Sequence, residues 1–473
     1  MRVSDAYNLG LSQAQLDFVN VDTRDDSPLF LDPRSLLLYQ DEWGERCVSL
    51  LQDFFGEVLR LLAVGPRAPA SILGQLHEPN ETRLGFSSGR AQGRAIGADL
   101  AERLGDALSS SQAVQTGLLQ DLEDTILLIP GIGPDLISDI TTCVIRGPLI
   151  EYTQAMAAEY GMEVVLTHPG PIWDPDTKSW QVVRAEVLKS DRRPLLLVPK
   201  AIVRRRLDFD PNEYWDDVIY PFLRDEEIAA GSSLVEVLQS GDPRVTKKAI
   251  EKKYGRGKGT NSAITLRAPQ LLDAYRRMKE IVPPPLSHDD LAYAEAQETP
   301  DWDALLDAVV TTPTGAADAD RYHVAVKGLL SATFYPALIN GRKEVRIHEG
   351  RKRIDIAYTN AAKSGFFFWL GLHYPAANVY VECKNYGSDL ENPELDQLGG
   401  RFGPTRGMFG FLVCRGFDDK AEFIKRCRDT ALDHRGFIVV LDDEDLRTVT
   451  GLCRDKDDGG LMDFLTARFN ELT

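Results

Sequence analysis

The stretch Val379–Phe402, VYVECKNYGSDLENPELDQLGGRF, decides how the C-terminal part of the chain folds. Its first six residues alternate as a strand does: Val379, Val381 and Cys383 face one way, and Tyr380, Glu382 and Lys384 the other. Pro393–Phe402 then reads as a helix, with Asn392 as its cap and Pro393 at its first position. Working outward, Arg353–Tyr358 alternates as well, with Ile354 and Ile356 on one face and Asp355 and Ala357 on the other. Glu344–Ile347 reads as a short strand before it. Asp301–Val310 and Asp320–Tyr335 read as helices, the second ended by Pro336. On the far side Phe409–Cys414 reads as a hydrophobic strand, Lys420–Leu432 as a helix and Phe437–Leu441 as a last buried strand. The order is α-β-β-β-α-β-α-β, which predicts helices on both faces of a mixed sheet.

Glu382 and Lys384 are two residues apart on one strand, so both side chains leave the same face. If the strand carrying Asp355 pairs with theirs, the three side chains converge. Two carboxylates suit Mg²⁺, a hard cation that takes oxygen ligands and keeps several waters. A lysine beside them can orient or deprotonate a water, or balance charge at a phosphorus.

Ile354-Asp355, followed 27 residues after the aspartate by Glu382-Cys383-Lys384, resembles the PD-(D/E)XK superfamily of restriction-endonuclease-like nucleases. That superfamily's core order is α-β-β-β-α-β, and the resemblance covers about residues 318–445. It implies that Asp355, Glu382 and the backbone carbonyl of Cys383 hold Mg²⁺ (or Mn²⁺). It implies that Lys384 is the catalytic lysine, and that hydrolysis leaves a 5′-phosphate. Gln397 lies where some members place a polar residue on the following helix, with Arg401 one turn on. Ile354 replaces the eponymous proline. Some members carry a glutamate on the first core helix; here that helix offers only Asp318 and Asp320, so this role is unassigned. Glu344, His348 and Glu349, near the first strand, are the candidates to substitute. The segment from Tyr380 to Phe402 also resembles bacterial defence nucleases that cut invading DNA.

The formal net charge is −18. That excludes a protein that wraps nucleic acid over its whole surface, so any such contact is local. From Gly241 to Gln270, however, eight basic residues (Arg244, Lys247, Lys248, Lys252, Lys253, Arg256, Lys258, Arg267) face only Asp242 and Glu251. This segment is either a solvated helix or a phosphate-contacting arm. Arg204-Arg205-Arg206 reads as a solvated run. The six cysteines form no CxxC pair, which argues against structural zinc and fits a reducing cytosol. No apolar run is long enough to span a membrane, and MRVSDAYNLG has no signal-peptide core.

Ile126–Pro134, ILLIPGIGP, resembles a helix-hairpin-helix element, whose Gly-Ile-Gly turn offers backbone N–H groups to a DNA phosphate. The reading favoured here is plainer: a strand leaving by a Pro-Gly turn into a helix. Gly89, Gly93 and Gly97 recur at a helical spacing that permits close helix packing. Met162–Thr167 and Pro194–Val198 are strand-like. Pro283-Pro284-Pro285 and the polar residues after it read as a linker.

The expected architecture is therefore multi-domain α/β, with residues 1–150, a middle region 151–285 carrying the basic segment, a linker 286–300 and a nuclease domain 301–473. The N-terminal part is expected to be mixed α+β. The expected function is a cytoplasmic, Mg²⁺-dependent endonuclease acting on nucleic acid, double-stranded DNA foremost. The expected partners, besides nucleic acid, are a second copy of the chain or a defence-system protein. The alternatives are a nuclease-like scaffold or sensor without catalysis, and a structure-selective repair nuclease or RNase.

Overall fold

The computed structural model describes the chain except for residues 66, 86–103, 116, 191–192, 348–351, 388–389 and 391. Gly89, Gly93, Gly97, His348 and Glu349 thus lie outside the described residues. Among those described, no helix is long and apolar enough to cross a membrane.

The fold is mixed α/β, and its contacts gather into two units. One comprises Met1–Asn20, Pro199–Ala201 and Pro284–Thr473; the other comprises Val21–Val198 and Ile202–Pro283. This division differs from the expected partition. The step expected after residue 150 falls inside the helix Arg146–Tyr160. The expected linker 286–300 contains the helix His288–Glu295, closed by a Ser287/Asp290 capping box.

The first unit holds a five-stranded sheet of β1 (Leu338–Ile347), β2 (Lys352–Asn360), β3 (Asn378–Lys384), β4 (Phe409–Cys414) and β5 (Phe437–Leu441), in that spatial order. β1, β2 and β3 pair antiparallel; β3, β4 and β5 pair parallel. The helices are α1 (His288–Glu295), α2 (Trp302–Val310), α3 (Ala319–Phe334), α4 (Gly365–His373), α5 (Asn392–Gly399), α6 (Lys420–Leu432), α7 (Asp443–Arg454) and α8 (Asp458–Asn470).

Alternation along the strands decides what each face touches. Phe411 stacks on Phe334 of α3 at 5.3 Å, and Phe409 meets Phe366 of α4 and Phe469 of α8. Val381 pairs with Phe411 and with Ile356, so these residues share that apolar face. Tyr380 and Glu382 point the other way, toward Phe402 and α5. β3 and β4 are buried on both faces, as parallel strands under helices on each side are.

Three elements went unread in the sequence. α4, GFFFWLGLH, is apolar all round, so no amphipathic stripe marks it. α7 and α8 lie past the last expected strand. β1 begins earlier than expected, at Leu338, and carries an irregularity between Ile339 and Arg342 that breaks its alternation.

The second unit combines helices with short antiparallel strands. Glu42–Val64, Pro134–Val144 and Arg146–Tyr160 are among its helices. Val165–Thr167, Ala185–Ser190 and Arg193–Leu195 form a small sheet.

Candidate metal and phosphodiester site

β2 and β3 pair through Tyr358–Val379, Ala357–Tyr380 and Ile356–Val381, and there the ladder stops. One step further the same register sets Asp355 opposite Glu382. The strands part because the Asp355 carboxylate takes the backbone N–H of Cys383, at 3.0 Å, that a strand partner would otherwise bond. This opening is the floor of a cavity of about 200 Å³ lined by Asp355, Glu382, Cys383, Lys384, Gln397 and His323, among others.

The side chains in it form one network. Lys384 Nζ donates to Glu382 Oε1 at 2.9 Å and to Gln397 Oε1 at 3.1 Å. Gln397 Nε2 donates to the same Glu382 oxygen. Glu382 Oε1 thus receives two donors, while Oε2, equally buried, receives none. Glu382 is fully buried; Asp355 and Lys384 are nearly so. Burial first, and then the neighbouring Asp355 carboxylate, push the Glu382 carboxyl up from its ordinary value; Lys384 opposes them. Burial works to lower the Lys384 ammonium, but Glu382 outweighs it and the net shift is upward. Lys384 is therefore a cation in this state.

His323 was not singled out in the sequence. It stands one turn into α3, and its Nε2 lies 3.2 Å from the Cys383 carbonyl and 3.9 Å from Asp355 Oδ2. The carbonyl can only accept, so Nε2 carries the proton here. A signal was present: of the residues in the first turn and a half of that helix, only His323 adds a metal-ligand type to Asp318 and Asp320. Asp320 instead pairs with Lys343.

Among the described residues, no group of three or more His, Cys, Asp or Glu side chains is arranged to hold a metal ion. The donors here are two carboxylates and a backbone carbonyl, with an imidazole alongside. An orphaned, buried carboxylate oxygen is costly without a partner, and oxygen donors of this kind fit a hard divalent cation. The residues present therefore fit the group.

Arg401 lies beyond the end of α5 and donates from Nε to the Arg353 carbonyl at 2.7 Å. It is a neighbour of the site rather than a member of the network. α5 itself starts at Asn392 and ends at Gly399, short of the expected Phe402.

The basic segment lies in the second unit, on the helices Lys247–Tyr254 and Lys258–Arg267 and the turn between them. Much of its charge is already engaged. Lys247 and Arg256 pair with Asp216 at 2.7 and 3.1 Å and lie over the Trp215 ring. Lys253 pairs with Glu227. Lys258 donates to the Ile132 carbonyl, and burial lowers its ammonium to about 8. Of the six candidates there, Lys248, Lys252 and Lys258 show no ion pair among the described residues, and Lys258 is engaged by the Ile132 carbonyl. Arg204 is buried, bonding the carbonyls of Val203 and Pro283, so the expected solvated run begins only at Arg205.

Asp124–Leu128 is helical, not the expected strand, because Asp124 accepts the N–H groups of Gln120 and Asp121 and holds the preceding turn. Residues 124–144 are thus helix, Pro-Gly-Ile-Gly turn and helix.

Residues 8–209 match the family described as "Domain of unknown function (DUF8370)", which ends well before Asp355. No curated protein and no solved structure matches the chain.

Proposed function

We propose that the C-terminal unit is a nuclease of the PD-(D/E)XK type that hydrolyses phosphodiester bonds in DNA, as an endonuclease, with Mg²⁺ or Mn²⁺. The observation that carries this reading is the Glu382 carboxylate, which has one oxygen held by Lys384 and Gln397 and the other left unpartnered beside Asp355. The five-stranded mixed sheet, with a helix ahead of it and α5 after the strand of Glu382, supports it through the order the superfamily implies.

Asp355, Glu382 and the Cys383 carbonyl would hold the ion; His323 would join them only if its proton moved from Nε2 to Nδ1. When bound, such an ion polarises a phosphoryl oxygen and lowers the pKa of a water. Lys384 keeps a proton on Nζ, fixed by Glu382 and Gln397, and from there orients the attacking water and offsets charge on the phosphoryl oxygens. Gln397 positions Lys384 and takes no part in proton transfer, because a neutral amide has no proton to give at this pH. The setting we propose is bacterial defence against phage, in the cytoplasm, which rests on the resemblance of Tyr380–Phe402 alone.

The test is to incubate the full chain with plasmid, linear and single-stranded DNA and with RNA, in Mg²⁺, Mn²⁺ or EDTA. Metal-dependent cleavage lost in Asp355→Ala and Lys384→Ala is expected. Cleavage that survives both substitutions would contradict the assignment.

A further inference from the structure

Tyr386 follows β3 by two residues and is 45% exposed. It lines the cavity that contains Asp355, Glu382 and Lys384, with its ring centroid 5.9 Å from Lys384 Nζ. The backbone just before it is anchored through Asn385. Asn385, 2% exposed, accepts the N–H of Gly315 at 2.8 Å on its carbonyl. Its side chain donates to the carbonyls of Pro313 (2.8 Å) and Gly315 (3.2 Å). Arg415 reaches Asn385 Oδ1 and also bonds the carbonyls of Thr312 and Val310 and the Asp443 carboxylate, locking the facing loop. Gly387 lies in ordinary contact distance of Thr314, where an added Cβ would stand 3.5 Å from Oγ1. The ring stands at the rim, next to an anchored residue, while the carboxylates lie recessed and buried.

We infer that Tyr386 is a stacking platform for an unpaired base next to the scissile phosphate, so that the site selects single-stranded nucleic acid or a single-stranded branch. The inference rests on the nuclease reading above and narrows its substrate from duplex DNA. Every base has a face that can stack on an aromatic ring, but in a duplex those faces are covered by neighbouring bases. A recessed phosphate site beneath an exposed ring suits a strand that can turn its phosphate inward and its base outward. A tyrosine has two side-chain torsions and the residue before it is anchored, so ordering the ring on a base costs little conformational freedom.

The experiment compares the full-length protein with Tyr386→Phe and Tyr386→Ala on single-stranded and fully duplex DNA of one sequence, in Mn²⁺. Binding of the same fluorescent strands is measured in Ca²⁺. The expected result is faster cleavage of the single strand. Tyr386→Ala should raise KM and weaken single-strand binding about tenfold, with kcat little changed and Tyr386→Phe near wild type. Equal cleavage of both substrates with no effect of Tyr386→Ala on either KM or binding would overturn the inference and leave the nuclease reading intact. A fall in kcat with a shifted pH profile and unchanged KM would overturn it too, making Tyr386 a positioning residue for Lys384. No cleavage of any substrate, with strand binding unaffected by Tyr386→Ala, would overturn both.

Discussion

At the scale of the residue, the account turns on a carboxylate kept where water cannot reach it. Glu382 is raised from its ordinary value by burial and by Asp355. A carboxyl raised in the folded state contributes stability below its unfolded value, about pH 4.3, that is lost as pH rises through its folded value. Its ionised form is therefore a cost at neutral pH. Glu382→Gln should abolish cleavage, and its melting temperature relative to wild type should become more favourable as pH rises from 4 to 7.5, because only the wild type loses stability over that range. Thermal melts across that range check it, and a difference that does not change with pH would count against the raised carboxyl. Lys384→Ala strands two carboxylates without their cation and should destabilise the protein by about 3–5 kcal/mol at neutral pH, read from urea unfolding, because breaking a buried pair leaves an uncompensated charge. The residues of this network on and after β3 were legible because strand alternation puts Glu382 and Lys384 on one face. His323 was not, because it reaches the site from α3, and that approach depends on how the helix packs on the sheet.

At the scale of the element, β3 read by its alternation, and β4 read clearly because a parallel strand covered on both faces is a continuous apolar run, as in FGFLVC. α4 failed to read for the same reason turned around: a short helix apolar on every side has no period to find. The irregularity in β1 hid most of that strand. The sheet's centre should carry much of the unit's stability. Leu412, fully buried on β4 and paired in register with Glu382, should cost about 2–5 kcal/mol when changed to alanine, measured by urea unfolding. A cost below 1 kcal/mol would mean that the face beneath Glu382 is not packed as described.

At the scale of the whole molecule, the unit that contains the site is built from three stretches of chain. Asp17 accepts the N–H of Gly341 at 3.1 Å and lies 3.4 Å from the buried ammonium of Lys327 on α3. Nothing in the first twenty residues announces a partner more than three hundred positions away, so the sequence reading assigned them elsewhere. A fragment of residues 301–473 should consequently be less stable than the same region in the full chain, and Asp17→Asn in the full chain should lower the melting temperature. Limited proteolysis and thermal melts test both; a fragment as resistant as the full chain would contradict the division.

The central claim is that Asp355 and Glu382 hold a divalent cation, and that claim can be tested without knowing the substrate or any activating signal. The measurement is calorimetric titration of the full-length protein with Mn²⁺ at neutral pH, for wild type, Asp355→Ala and Glu382→Ala. We predict saturable binding to the wild type that both substitutions abolish, with a matching rise in melting temperature in the wild type alone, since a ligand bound only by the folded state stabilises it. No binding to the wild type, or binding undiminished in both variants, would contradict the account.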